Sequence, residues 1–114
     1  MEKLRGNPRL RVVDFAADGL EAVRKAGEVR PDLILLDIGL PSLNGIEAAR
    51  QIRKLVPESK IIYLTAETSA KVAEVALSLG AEGYVLKIEV DSDLLDAVEA
   101  VMSGKRFVSR HLTD

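Results

Sequence analysis

The stretch Pro31-Asp32-Leu33-Ile34-Leu35-Leu36-Asp37 decides the fold. Four consecutive aliphatic residues sit between a turn-forming Pro-Asp pair and a lone carboxylate. Nothing alternates, so both faces of this strand are covered. That is the texture of a parallel sheet with helices on each side. Ile61 to Thr65 and Tyr84 to Lys87 repeat it along the chain, and Leu10 to Phe15 reads as a further strand ahead of them. Between them the apolar spacing turns helical. Gly19 to Glu28 is alanine-rich, with Leu20 and Val23 on one face. Ile46, Ala49, Ile52 and Leu55 form a stripe, as do Val72, Val75, Ala76 and Leu79. Leu94, Val98, Val101 and Met102 form the last. The alternation β-α-β-α-β-α-β-α predicts a doubly wound α/β fold with right-handed crossovers. Asp91, Ser92 and Asp93 are expected to cap the final helix, and Asp18-Gly19 to make a turn. From Gly104 the chain has no clear period.

The 114 residues are enough for one core and one domain. Sixteen basic and 18 acidic residues leave a net charge of -2, without the basic excess that a nucleic-acid face would carry. There is no cysteine, which excludes disulfides, thiolate zinc sites and cysteine nucleophiles. One histidine, His111, argues against a His-based triad. No apolar run approaches the length of a membrane span, and the N-terminus lacks a signal-peptide stretch, so the cytoplasm is the expected compartment.

Three runs end in a polar residue: Asp37, Thr65 and Lys87. They lie 28 and 22 residues apart, each one α/β unit. Ligands of open α/β sheets bind at the carboxyl ends of the strands, so the three side chains are expected to converge there. A carboxylate can attack phosphorus, a hydroxyl can hydrogen-bond a phosphoryl oxygen, and an ammonium can neutralise developing charge. Singly, each has a plainer use: Asp37 as a turn former, Thr65 as a strand residue, Lys87 as a solvated cation. Their equivalent topological positions favour phosphoryl acceptance.

At these residues the chain resembles a response-regulator receiver domain of two-component signalling. Pro31 to Pro41 followed by Asn44-Gly45-Ile46-Glu47, then Leu64-Thr65-Ala66-Glu67, then Gly80 to Lys87, match three spaced motifs in order, across about Leu10 to Phe107. GAEGYVLK and SGKRFVS look most like receivers that precede LuxR/NarL-type helix-turn-helix domains. The resemblance implies the flavodoxin-like three-layer parallel sheet. It makes Asp37 the phosphorylation site and Thr65 and Lys87 the phosphoryl-binding pair. Tyr84 falls at the aromatic switch position, or is a half-buried strand aromatic. Pro41 shapes the loop. Asp37 and the carbonyl of Gly39 would be magnesium ligands, and Mg²⁺ is the family's expected cofactor. Gly45 serves backbone geometry, and Glu67 is a solvated carboxylate at a helix start.

The family pattern also has a strand and helix ahead of Leu10. A full path from that strand's acidic pair to Asp37 takes about 45 residues, and only 36 precede Asp37 here. The first strand, most of the first helix and the acidic pair are therefore expected to be missing, and Mg²⁺ to be held weakly. Asp14 or Asp18 is a candidate substitute ligand; otherwise Asp14 sits on a solvated edge. Residues 1–107 are expected to form the truncated receiver and 108–114 a tail or linker stub. The expected partners are a sensor histidine kinase and a second copy of the chain. Direct nucleic-acid or membrane binding is not expected. The resemblance implies a signalling domain rather than an enzyme. A degenerate receiver acting as a phosphorylation-independent dimerisation module is the alternative. A small phosphate-handling enzyme would need a second base or carboxylate near Asp37, and none is identifiable.

Overall fold

A computed structural model describes residue 10, residues 14–39 and residues 43–113. Helix α1 spans Gly19–Val29, β1 Leu33–Leu36, α2 Gly45–Leu55, β2 Lys60–Thr65, α3 Ala70–Ser78, β3 Gly83–Leu86, α4 Val90–Met102 and β4 Phe107–Val108. A 3₁₀ turn, Lys87–Glu89, joins β3 to α4. Among the described residues, four strands form one all-parallel sheet in the order β1-β2-β3-β4. This is the parallel α/β sheet expected from the apolar runs, and the fold that the receiver resemblance implies.

The strand periodicity sorts side chains into two cores. Leu36, Ile61, Tyr63, Tyr84 and Leu86 face α1, α2 and α3, whose contact residues are largely alanine: Ala22, Ala26, Ala48, Ala49, Ala73 and Ala76. Small residues let the helices approach the sheet closely. Ile62 and Val85 face α4, through Leu94, Ala97, Val98 and Val101. Side-chain caps set three helix starts. Asp18 accepts from the N–H of Glu21 (2.8 Å), Asn44 from Glu47 (3.0 Å) and Ser69 from Val72 (3.3 Å). Asp18-Gly19 is thus a helix start rather than a free turn.

Several boundaries differ from the sequence reading. Asp91, Ser92 and Asp93 do not cap α4; the helix begins at Val90, continuing the 3₁₀ turn, with no side-chain cap. The expected strand Leu10 to Phe15 is not formed at Leu10, Asp14 or Phe15, and Arg11, Val12 and Val13 lie outside the described residues. Phe15 is exposed, and Asp14 pairs with Lys25 at 3.0 Å. Beyond Met102, residues 107–113 return to the sheet. β4 pairs with β3, and Thr113 bridges to Ser69. A two-residue strand is too short to show a period.

Two polar groups, one partly buried and one fully buried, are set into this framework. Arg53 donates to the carbonyls of Gly80, Pro57 and Ser59 and to the Glu82 carboxylate, whose Oε1 also accepts from Ile61 N–H. It braces the amino ends of β2 and β3, opposite the edge where Asp37 and Lys87 emerge. Tyr63 is fully buried, and its hydroxyl has no hydrogen-bond partner among the described residues. Burial drives its pKa well up. Tyr63→Phe removes an unsatisfied polar atom, so the melting temperature is expected to hold or rise, by up to about 1 kcal/mol in stability. A clear fall in melting temperature would show that the hydroxyl is satisfied in solution.

Candidate functional site

The sheet register fixes where the three polar strand ends emerge. Leu36 pairs with Tyr63, so Asp37 leaves β1 level with Leu64. Thr65 pairs with Leu86, so Lys87 lies one step beyond. All three stand at the carboxyl edge of a parallel sheet, where α/β folds bind ligands. Lys87, expected as the strand's last residue, is instead the first of the 3₁₀ turn.

Two of the three are in contact. Lys87 Nζ donates to Asp37 Oδ2 at 2.6 Å, across 50 residues of chain. The other carboxylate oxygen, Oδ1, accepts from Gly39 N–H at 2.9 Å. Burial pushes the Asp37 carboxyl up. The Lys87 hydrogen bond, the Gly39 N–H and the Lys87 charge together outweigh it, and the pKa lies below the ordinary aspartate value. Asp37 is therefore ionised at neutral pH. Its side chain is about one-third exposed (32%), open to an incoming group.

Thr65 is buried, and its Oγ1 accepts from Glu67 N–H at 3.1 Å. Its contact is with its own loop rather than with Asp37. Glu67 is exposed and its carboxylate accepts from Ser69 N–H (3.0 Å) ahead of α3. Tyr84 is fully buried rather than half-buried. Its hydroxyl donates to the carbonyl of Glu67 at 2.8 Å, and its ring packs edge-on to Tyr63 with centroids 6.0 Å apart. Burial, with help from the Glu67 charge, pushes the Tyr84 phenol up to about 12. The phenol is a permanent donor that ties β3 to the loop after Thr65. Pro41 lies outside the described residues.

Gly45 faces Asp37 with its backbone. A Cβ there would lie 2.1 Å from the Asp37 carbonyl oxygen, and Gly45 N–H donates to Ile38 O at 2.9 Å. Its role is close approach to the Asp37 segment rather than a special backbone conformation.

The donor set for a divalent cation is thin. Mg²⁺ wants near-octahedral oxygen ligation. Among the described residues no three His, Asp or Glu side chains gather at one place. Both oxygens of Asp37 already accept hydrogen bonds. The two candidate substitutes are engaged elsewhere, Asp14 by Lys25 and Asp18 by the first turn of α1. The described residues alone do not fit the ion.

Ser109 is the site-adjacent residue that sequence reasoning missed. It is buried and accepts from Leu86 N–H at 3.0 Å, next to Lys87. A single hydroxyl in an aperiodic segment carries no spacing signal.

A parallel sheet presenting an ionised aspartate and a lysine in contact at its carboxyl edge is the arrangement expected of a receiver-class signalling domain. The family model for the response regulator receiver domain matches residues 2–99, and the chain belongs to that family. It is 38% identical over 96 residues to response regulator protein VraR of Staphylococcus aureus. That match covers 84% of this chain and 46% of the relative, so the chain spans about half of the relative's length. Its fold is similar to that of a LuxR-family two-component response regulator from Aurantimonas sp. SI85-9A1. The TM-score is 0.88 at 36% identity, covering 93% of this chain and 76% of that one. It is similar also to the response regulator domain of Thermotoga maritima CheB. There the TM-score is 0.81 at 34% identity, covering 88% and 82%. Receiver domains take phosphoryl groups from sensor histidine kinases and generally bind Mg²⁺ at the phosphorylation site. Among the described residues no helix is long and apolar enough to cross a membrane.

Proposed function

We propose that Asp37 accepts a phosphoryl group from the phosphohistidine of a sensor kinase, with Lys87 and Thr65 holding the transferred group. The observation that carries this reading is the 2.6 Å contact between Lys87 Nζ and Asp37 Oδ2. An ammonium already at the carboxylate stands where negative charge accumulates as phosphorus approaches. In the transfer, a carboxylate oxygen of Asp37 forms the new P–O bond as the P–N bond to histidine breaks. The electron pair of that bond returns to the imidazole nitrogen. Lys87 then trades its contact with the carboxylate for one with a phosphoryl oxygen. Thr65 uses a lone pair on Glu67 N–H, which leaves its hydroxyl proton to donate to a second phosphoryl oxygen. Drawing Thr65 toward the phosphate changes the loop that carries the Glu67 carbonyl, and so reaches Tyr84. Receiver-type regulation of transcription, as in the LuxR-family relatives, is the process this chemistry serves.

Incubation with acetyl phosphate and Mg²⁺, followed by intact mass, tests the reading. One phosphoryl adduct is expected in the unaltered chain and none in Asp37→Asn. No adduct at saturating donor and metal would instead make the chain a phosphorylation-independent interaction module.

A further inference from the structure

Residues 107–113 fasten to both loops of the site, and the chemistry above uses none of these contacts. Phe107 and Val108 pair with Gly83 and Tyr84. Ser109 N–H donates to the Tyr84 carbonyl at 2.9 Å. The Ser109 hydroxyl, 3% exposed, accepts from Leu86 N–H at 3.0 Å and donates to Asp93 Oδ2 at 3.1 Å. Leu86 ends β3 and Asp93 stands in the first turn of α4. One hydroxyl therefore spans the 3₁₀ turn that carries Lys87. His111 Nδ1 lies 2.5 Å from Glu89 Oε2, the last residue of the same turn.

The segment then crosses to the other loop. Leu112 packs on the core that holds Tyr63 and Tyr84. Thr113 N–H donates to the Thr68 carbonyl at 2.8 Å, and Ala70 N–H donates to the Thr113 carbonyl at 2.7 Å. Thr68 lies three residues beyond Thr65. The Lys87 turn needs such bracing. It has no side-chain cap, and the Lys87 side chain is half exposed on a flexible stem.

We propose that Phe107–Thr113 is a clasp that holds the Lys87 turn against Asp37, with Ser109 as its positioning residue. The state of the Asp37 site and the docking of the clasp are then coupled. Coupling is reciprocal. If the clasp steadies the Lys87–Asp37 contact, losing that contact must loosen the clasp by the same factor. The consequence for signalling rests on Asp37 being the phosphoacceptor; the coupling itself does not.

Amide hydrogen exchange on the whole chain tests it without any phosphate donor. In Asp37→Asn, exchange at Ser109, Thr113 and Ala70 is expected to quicken about fivefold, with the amides of α2 unchanged. Unchanged exchange at the clasp, or uniform quickening across the chain, overturns the proposal. A double-mutant cycle gives the second reading. Ser109→Ala and Asp37→Asn are expected to be non-additive in the unfolding constant by about the same factor. Ser109→Thr, which keeps a hydroxyl, is expected to restore the coupling. Strict additivity overturns the proposal. If Ser109→Ala does not fold, the exchange result in Asp37→Asn decides alone. A missing phosphoryl adduct and an uncoupled clasp are separate results, so the two failures are distinguishable.

Discussion

Lys87→Ala is expected to slow phosphoryl transfer to Asp37 about 100-fold, the effect of removing one charge-stabilising donor from a reacting centre. The ammonium lies 2.6 Å from the carboxylate oxygen before any donor arrives. It is thus preorganised for the charge that develops, rather than recruited by it. The loss is expected in the rate at saturating acetyl phosphate, with the half-saturating concentration little changed, because Lys87 meets the group in flight more strongly than the donor at rest. The fold is expected to survive, since the side chain is half exposed and stands beyond the end of β3. Removing the ammonium also removes a cause of the low Asp37 pKa, so that pKa is expected to rise toward the ordinary carboxylate value. Time-resolved intact mass gives the rate. Lys87→Arg separates charge from shape. The guanidinium keeps the charge but spreads it over a planar fork, and only partial recovery is expected. An unchanged rate in Lys87→Ala would falsify the role given to this residue.

The placement of Asp37, Thr65 and Lys87 was legible because each follows an unbroken apolar run. Tyr84 to Leu86 are buried on both faces, Ile61 to Leu64 nearly so, and Leu33 to Leu35 are half-buried ahead of a buried Leu36. The first polar residue after each then had to emerge at the same sheet edge. The contact between Asp37 and Lys87 follows from that topology. What was not legible depends on single side chains whose partners lie far along the chain. Arg53 sits on an amphipathic helix, where an arginine ordinarily meets solvent. It turns inward because the carbonyls of Pro57, Ser59 and Gly80 converge on it. Tyr84 could be half-buried or switch-like on sequence grounds. Its full burial requires the Glu67 carbonyl to arrive at its hydroxyl, which a loop conformation decides. β4 and Ser109 were invisible because two residues carry no period. Leu10 to Phe15 shows the reverse failure. An apolar run with strand propensity ends at Asp14 and Phe15 outside any strand, with Phe15 exposed and Asp14 held by Lys25.

Gly45→Ala is expected to cost about 3 kcal/mol of stability, at the top of the usual range for an overpacked core position. The reason is space, not backbone conformation. Gly45 opens α2 just after its Asn44 cap, with no left-handed dihedral. A Cβ there would meet the Asp37 carbonyl oxygen at 2.1 Å and Ile38 Cα at 2.7 Å. These are backbone atoms of the segment that carries the Asp37 carboxylate, and they cannot rotate aside as a side chain could. Either α2 withdraws from the sheet, breaking the 2.9 Å bond from Gly45 N–H to Ile38 O, or residues 37–38 shift. Both outcomes move Asp37 relative to Lys87, so transfer is expected to fall even where the variant folds. Denaturant midpoints at unchanged slope measure the stability term. Gly104→Ala is the control for conformation alone. Gly104 has φ +85° and nothing within 4 Å of a Cβ, so its substitution is expected to cost about 1–2 kcal/mol through left-handed strain, with transfer unaffected. Equal losses at the two glycines would show that steric contact with Asp37 is not what holds α2 and the acceptor strand together.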